Sequence, residues 1–165
     1  MINVYLGLGS NLAEPSVQIS RALRALAKIK DTTVVSCSSL YASLPMGPKD
    51  QANYVNAVVH LHTNLPPLDL LAATQAIELE QGRERKNERW GPRTLDIDIL
   101  LYGNEMINND DLVVRHYGMN VREFVLYPLL EINPELCLPG GKMLADIAKD
   151  CPVNGLSILS PAPTF

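Results

Sequence analysis

Pro92-Arg93-Thr94-Leu95-Asp96-Ile97-Asp98-Ile99, continued by Leu100-Leu101-Tyr102, is the stretch from which this chain is best read. Its β-branched and apolar residues predict a strand over 94–102. Successive side chains of a strand point to opposite faces. Asp96 and Asp98 therefore share one face, and Leu95, Ile97 and Ile99 share the other. Two like charges held that close repel unless a cation lies between them. Just upstream lie Arg83, Arg85, Arg89 and Arg93, and arginine suits bidentate contact with phosphate oxygens. Paired carboxylates beside clustered arginines at a strand end read as phosphoryl chemistry.

Working outward, four strands and two helices are expected around this segment. Residues 2–8 form a first strand, with Gly7 and Gly9 closing it in a tight turn. Ser10 or Asn11 then caps a helix that Pro15 opens, its core face drawn by Ile19, Ala22, Leu23 and Leu26. A second strand is expected over 33–42. Over 54–63 the alternation is clear: Val55, Ala57, Val59 and Leu61 on one face, Tyr54, Asn56, His60 and His62 on the other. Pro66-Pro67 opens a second helix that runs to about 81, where Gly82 stops it. An eleven-residue polar loop then leads to the strand at 94–102. The order β-α-β-β-α-β is the split βαβ, ferredoxin-like arrangement. The expected fold is α+β, an antiparallel sheet with helices packed on it. Weak strands near 106–107 and 112–114, and short helices near 121–130 and 144–149, complete it. A single domain over 1–165 is expected, and the tail 152–165 carries no clear pattern.

Composition narrows the class. With 165 residues and 47% hydrophobic content the chain can bury a substantial core. Its net charge of -4 supplies no global basic field for nucleic acid. No apolar run approaches the ~20 residues of a membrane helix, and the first residues lack a basic leader. A cytoplasmic monomer without nucleic-acid or membrane partners is expected. Cys37, Cys137 and Cys151 are far apart and match no metal or disulfide spacing.

Other residues carry weaker signals. The loop from Arg83 to Arg93 holds the single tryptophan, Trp90; a long polar loop of this kind has the make-up of a lid, or of an ordinary charged connection. Tyr54 and Asn56 suit stacking on, and hydrogen bonding to, a planar heterocycle, or are simply a half-buried tyrosine and a structural asparagine. His60 and His62 have zinc-compatible spacing but no evident third ligand. His116-Tyr117, with Arg122 and Phe124, suits phosphate oxygens. Gly7-Leu8-Gly9-Ser10-Asn11 lacks the third glycine of a dinucleotide fingerprint and the Gly-Lys-Ser/Thr of a P-loop.

Taken together these motifs resemble the 6-hydroxymethyl-7,8-dihydropterin pyrophosphokinase family of folate biosynthesis. The likeness is carried by residues 89–100, by Gly9-Ser10-Asn11-Leu12, Gly47-Pro48, Tyr54-Val55-Asn56-Ala57, Ile77-Glu78, Gly82-Arg83 and His116-Tyr117. It implies Mg²⁺-dependent transfer of pyrophosphate from ATP to the pterin hydroxymethyl group, releasing AMP. By resemblance, Asp96 and Asp98 hold two Mg²⁺ ions, and Arg83 and Arg93 act on the phosphates. Tyr54 and Phe124 sandwich the pterin, Asn56 bonds its polar edge, and Ser43, Leu44 and Met46 complete that pocket. Gln75, Glu78, Arg85, Trp90, Ile99, His116, Tyr117 and Arg122 belong to the ATP side. The chain departs from the family pattern at Asp111, Val113 and Arg115, just before His116.

Two other classes fit less well. The same strand order builds RNA-recognition modules, which stack bases on aromatics of the central strands; here Asp96 and Asp98 stand where the rings would be. A nucleotide-sugar transferase resting on Asp-x-Asp alone asks for a larger domain.

Overall fold

In the computed structural model the described residues are 1–10, 15–43, 54–83, 95–108, 112–114, 123–153 and 155–163. The elements run β1 (Ile2–Ser10), α1 (Pro15–Leu26), β2 (Thr32–Cys37), β3 (Leu40–Ser43), β4 (Tyr54–Thr63) and α2 (Pro67–Glu78). Then follow β5 (Asp96–Tyr102), β6 (Ile107–Asn108), β7 (Val113–Val114), α3 (Glu123–Ile132), α4 (Leu144–Lys149) and β8 (Ser157–Ser160). The main sheet has the order β5-β1-β4-β3-β8, and β2 also pairs with β4. Every pairing in it is antiparallel. With β2 and β3 as two halves of one expected strand, this is the ferredoxin-like order, and the α+β expectation is met.

The sheet is covered on both faces. On one, Val4, Leu6 and Leu8 of β1, Val55, Ala57, Val59 and Leu61 of β4, and Ile97 and Ile99 of β5 meet α1 and α2. The α1 residues there are Ile19, Ala22, Leu23 and Leu26, all fully buried. On the other face Tyr5, Val58, Leu100 and Leu101 pack on Val125, Leu126 and Leu129 of α3 and on Leu144 of α4. The change of face within β5 comes from a bulge. Leu6 pairs with Ile99 but Tyr5 with Leu101, so Leu100 is an extra residue. A bulge of this kind breaks the strict alternation and bends the strand.

Four local features differ from the sequence expectation. Strand β1 runs through Gly7 and Gly9 to Ser10 instead of ending at a turn, because β4 pairs with it along its whole length and β5 from Val4 to Gly9. The expected strand over 33–42 divides at Ser38. There the Ser38 hydroxyl takes the place of a backbone carbonyl, accepting from Val58 N at 2.9 Å, while Ser38 N donates to Val58 O at 2.9 Å. Helix α2 does not stop at Gly82 but widens into a π-helical turn, Leu79–Arg83. The tail forms β8, which pairs with β3 and covers part of its outer edge.

Helix α3 is fastened to the sheet by polar contacts at two places. Glu131 accepts from Ser39 N (3.1 Å), Ser39 Oγ (2.8 Å) and Tyr41 Oη (2.7 Å). Burial first, and then this bond and the Glu131 charge, push the Tyr41 phenol up from its ordinary pKa. Further along, Asn133 Nδ2 donates to Tyr5 Oη at 3.0 Å. The Tyr5 ring stacks on His60 with centroids 4.6 Å apart, and His60 meets His62 edge-on at 5.2 Å. His60 Nε2 lies 2.8 Å from Asn3 Oδ1.

Two predictions follow from these fastenings. Glu131→Ala is expected to lower unfolding free energy by about 1–2 kcal/mol, since hydrogen bonds to a charged group are lost; urea denaturation measures it. Burial, and secondarily His62, hold the His60 pKa below its ordinary 6.5. Below pH 6.5 the unfolded chain therefore binds the His60 proton more readily than the folded one, so stability falls as pH drops toward the folded pKa. Unfolding curves at pH 7.5, 6.5 and 5.5 are expected to show a shallower acid loss for His60→Gln than for the unsubstituted chain.

Candidate functional site

The register of four strands builds a polar row on the α3 side of the sheet. Asp96 lies opposite Gly9, Gly9 opposite Asn56, and Asn56 opposite Tyr41. The next row is Asp98, Gly7 and Val58. Because Leu95, Ile97 and Ile99 are buried under the helices, the aspartates emerge on the opposite face, as the alternation requires. Asp96 is half-buried and Asp98 exposed. Asn56 is 7% exposed, so its amide reaches the row from within the sheet surface.

The glycines explain how there is room between these side chains. A Cβ on Gly9 would sit 3.1 Å from Asn56 Oδ1, tighter than ordinary van der Waals contact. A Cβ on Gly7 would reach only ordinary contact with Leu100 Cδ2, at 3.4 Å. At position 9 the strand thus presents bare backbone between Asn56 and Asp96, a floor on which a flat or charged ligand can lie close. Two carboxylates beside such a floor fit a hard divalent cation, which takes few protein oxygens and completes its shell with water and phosphates. Among the described residues no cluster of three or more His, Cys, Asp or Glu stands together. His60 and His62 accordingly gain no third ligand from them.

The remaining expected residues divide by location. Phe124, near the start of α3, is half-buried against the α3-side core. Tyr54 begins β4 opposite Ser43, the last residue of β3. Ile99 is buried in the core beneath α1 and α2. On α2, Gln75 is exposed while Glu78 is buried, its Oε2 accepting from Ile97 N at 2.8 Å. Arg83 ends the π-helical turn. Leu44, Met46, Arg85, Trp90, Arg93, His116, Tyr117 and Arg122 lie outside the described residues, as do Asp111 and Arg115. Sequence reasoning missed Gly9 as a member of this row; the available signal was a glycine pair at i and i+2 inside an otherwise apolar strand.

The two buried cysteines, Cys37 and Cys151, are not set up as nucleophiles. Burial, helped by the Glu131 charge, pushes the Cys37 thiol up to about 12. Burial, and then Glu123, also raises Cys151. Neither thiol is activated as the attacking thiolate requires.

A family model described as 7,8-dihydro-6-hydroxymethylpterin-pyrophosphokinase (HPPK) matches residues 5–134. The 2-amino-4-hydroxy-6-hydroxymethyldihydropteridine pyrophosphokinase of Pseudomonas aeruginosa is 54% identical over 159 residues, covering 96% of this chain and 98% of its own. The enzyme of the same name from Haemophilus influenzae is 48% identical over 161 residues, covering 98% and 100%. Among solved structures, a Plasmodium falciparum HPPK-DHPS triple mutant superposes with a TM-score of 0.73 at 15% identity. An HPPK-DHPS complex with substrates gives 0.69 at 13%. Each covers 90% of this chain, which spans less than half of those chains (44% and 45%), and the likeness is one of fold. The chain is therefore a transferase built on a ferredoxin-like α+β sheet. It belongs to the 7,8-dihydro-6-hydroxymethylpterin-pyrophosphokinase family and is a pyrophosphokinase of folate synthesis.

The glycine floor generates a prediction. Gly9→Ala is expected to reduce pyrophosphokinase activity at least about tenfold by displacing Asn56 and crowding the row. The melting temperature is expected to move by only a few degrees, because the strand itself tolerates alanine. Steady-state rates and thermal melts on the same preparation check both.

Proposed function

We propose that the chain transfers the β,γ-pyrophosphoryl group of ATP to the hydroxymethyl oxygen of 6-hydroxymethyl-7,8-dihydropterin in a Mg²⁺-dependent reaction. The products are AMP and the pterin diphosphate, made by a single domain over 1–165 working in the cytoplasm as a monomer. The observation that carries this reading is the row Asp96–Gly9–Asn56, found in a chain of this family.

In this reading the row divides the work. Asn56 bonds the polar edge of the pterin over the bare backbone of Gly9. Tyr54 and Phe124 enclose its ring, with Ser43, Leu44 and Met46 at the rim. Asp96 and Asp98 hold two Mg²⁺ ions, which supply charge neutralisation for the phosphates and orient them toward the hydroxymethyl oxygen. Arg83 and Arg93 steady the phosphate oxygens, with Arg85, Trp90 and Arg122 closing over them. Gln75, His116 and Tyr117 line the nucleotide side, which Ile99 meets through its backbone at the strand edge. The pterin oxygen forms a bond to the β-phosphorus, the bond from that phosphorus to the α,β-bridging oxygen breaks, and AMP departs. The hydroxyl proton passes toward solvent at Asp98, the more exposed of the pair. Transfer of this type asks the protein chiefly for positioning and charge stabilisation.

The test is AMP release measured with and without the pterin. AMP is expected only when pterin, ATP and Mg²⁺ are all present, and EDTA should stop it. Asp96→Ala and Asp98→Ala should each lower the rate by about 10²–10³-fold, the scale of losing a preorganised charge partner. Their unfolding free energies should stay within about 1 kcal/mol of the parent, since neither side chain is in the core. Full activity in both variants would overturn the metal assignment.

A further inference from the structure

Among the described residues β5 is a terminal strand of the main sheet, bordered by β1 on one side. The backbone N–H groups on its other side need acceptors from elsewhere. Ile97 N finds one in Glu78 Oε2, at 2.8 Å. Glu78 is the last residue of α2 and only 4% exposed. A carboxylate taken out of water costs several kcal/mol unless it is well bonded, so placing one against a strand edge is not a neutral choice of filler.

The position of the bonded residue is what matters. Ile97 stands between Asp96 and Asp98. Its side chain enters the core under α1 and α2, and its N–H is held by Glu78. The backbone is thereby fixed at the one residue that separates the two carboxylates, from the side opposite to the one on which they project. The end of α2 is itself pinned: Gln81 Nε2, in the π-helical turn, donates to Gln18 O at 3.0 Å and to Gln18 Oε1 at 2.9 Å. The point where the arginine-rich segment leaves α2 and the strand to which it returns are thus tied together.

We infer that Glu78 is a positioning residue for the Asp96–Asp98 pair, setting the spacing of the two carboxylates through the Ile97 N–H. What the pair holds rests on the pyrophosphokinase reading above; the clamp itself does not. This role differs from that of a nucleotide contact, and the two separate cleanly by experiment.

Glu78→Gln keeps an acceptor oxygen at the same reach, Glu78→Asp keeps the charge but withdraws the oxygen by a methylene, and Glu78→Ala removes both. Positioning predicts that Glu78→Gln, which keeps an acceptor at the same reach although a weaker, uncharged one, is impaired less than Glu78→Asp. It predicts that Glu78→Asp and Glu78→Ala need about tenfold more Mg²⁺ for half-maximal rate and lose about tenfold in kcat, with KM for the pterin unchanged. Amide hydrogen exchange is the independent readout. The Ile97 amide should exchange at least about tenfold faster in Glu78→Asp than in the parent, while Val59 and Leu61 keep their protection. The inference is overturned if Ile97 protection is unaltered in Glu78→Asp. It is overturned equally if Glu78→Gln is impaired in KM for ATP while Glu78→Asp is not, since that pattern belongs to a charge touching the nucleotide. Should Glu78→Ala fail to fold, the Gln and Asp variants decide the matter alone. If the unsubstituted chain releases no AMP, the proposed function falls, and the exchange data still judge the clamp.

Discussion

Strand β5 has two faces that make opposite demands, and most of the molecule is arranged around satisfying both. Ile97 and Ile99 enter the core beneath α1 and α2, each burial contributing about 1.5–3 kcal/mol. A slip of one residue would exchange them for Asp96 and Asp98, and burying two carboxylates would cost several kcal/mol apiece. The register is therefore strongly determined, and the aspartates have no choice of face. The bulge at Leu100 then ends this regime. Beyond it Leu100 and Leu101 turn to the α3 side and help close the second core. One strand is in this way polar toward α3 at its start and apolar toward α3 at its end.

That division extends across the sheet. At one end of the α3-facing surface, Tyr5, His60 and Asn133 form a bonded and stacked group that joins β1 and β4 to α3. At the other end the cross-strand row is Asp96, Gly9, Asn56 and Tyr41. Gly9 contributes no side chain, and Tyr41 is drawn toward α3 by Glu131. The same sheet face is packed on α3 at one end and carries a position without a side chain, Gly9, in its polar row at the other. Nothing more than the choice of side chain at alternate positions is needed to produce both.

How much of this was legible follows from what each feature depends on. Tyr54–Thr63 and the apolar stripe of α1 repeat with the periods of their elements, and burial alone places them. Asp96, Asp98 and Asn56 were placed on one face by the same arithmetic. What escaped depends on partners distant in sequence. Gly7 and Gly9 look like a turn until β4 and β5 are known to flank them. Ser38 breaks a strand only because its hydroxyl meets Val58 N. β8 is four residues, Ser157-Ile158-Leu159-Ser160, with Ile158 and Leu159 both exposed, so no alternation announces it. By resemblance Glu78 belongs to the nucleotide side, and only the position of Ile97 N reveals what one of its oxygens holds.

The solved relatives show why the legible and illegible parts separate as they do. At 13% and 15% identity their folds still superpose with TM-scores of 0.69 and 0.73. Most residues have changed while the order of strands and helices has not. A fold of this kind asks for period-2 burial in strands and a buried stripe on each helix, conditions that many residues satisfy. A site asks for particular atoms at particular places: two carboxylates one pleat apart, an amide beside them, and no Cβ between. The first requirement can be read from pattern because it is degenerate. The second can be read only where identity and register coincide. In this chain they coincide along the row from Asp96 through Gly9 to Asn56, so the proposed site falls where the pattern of the sheet is interrupted by a residue with no side chain at all.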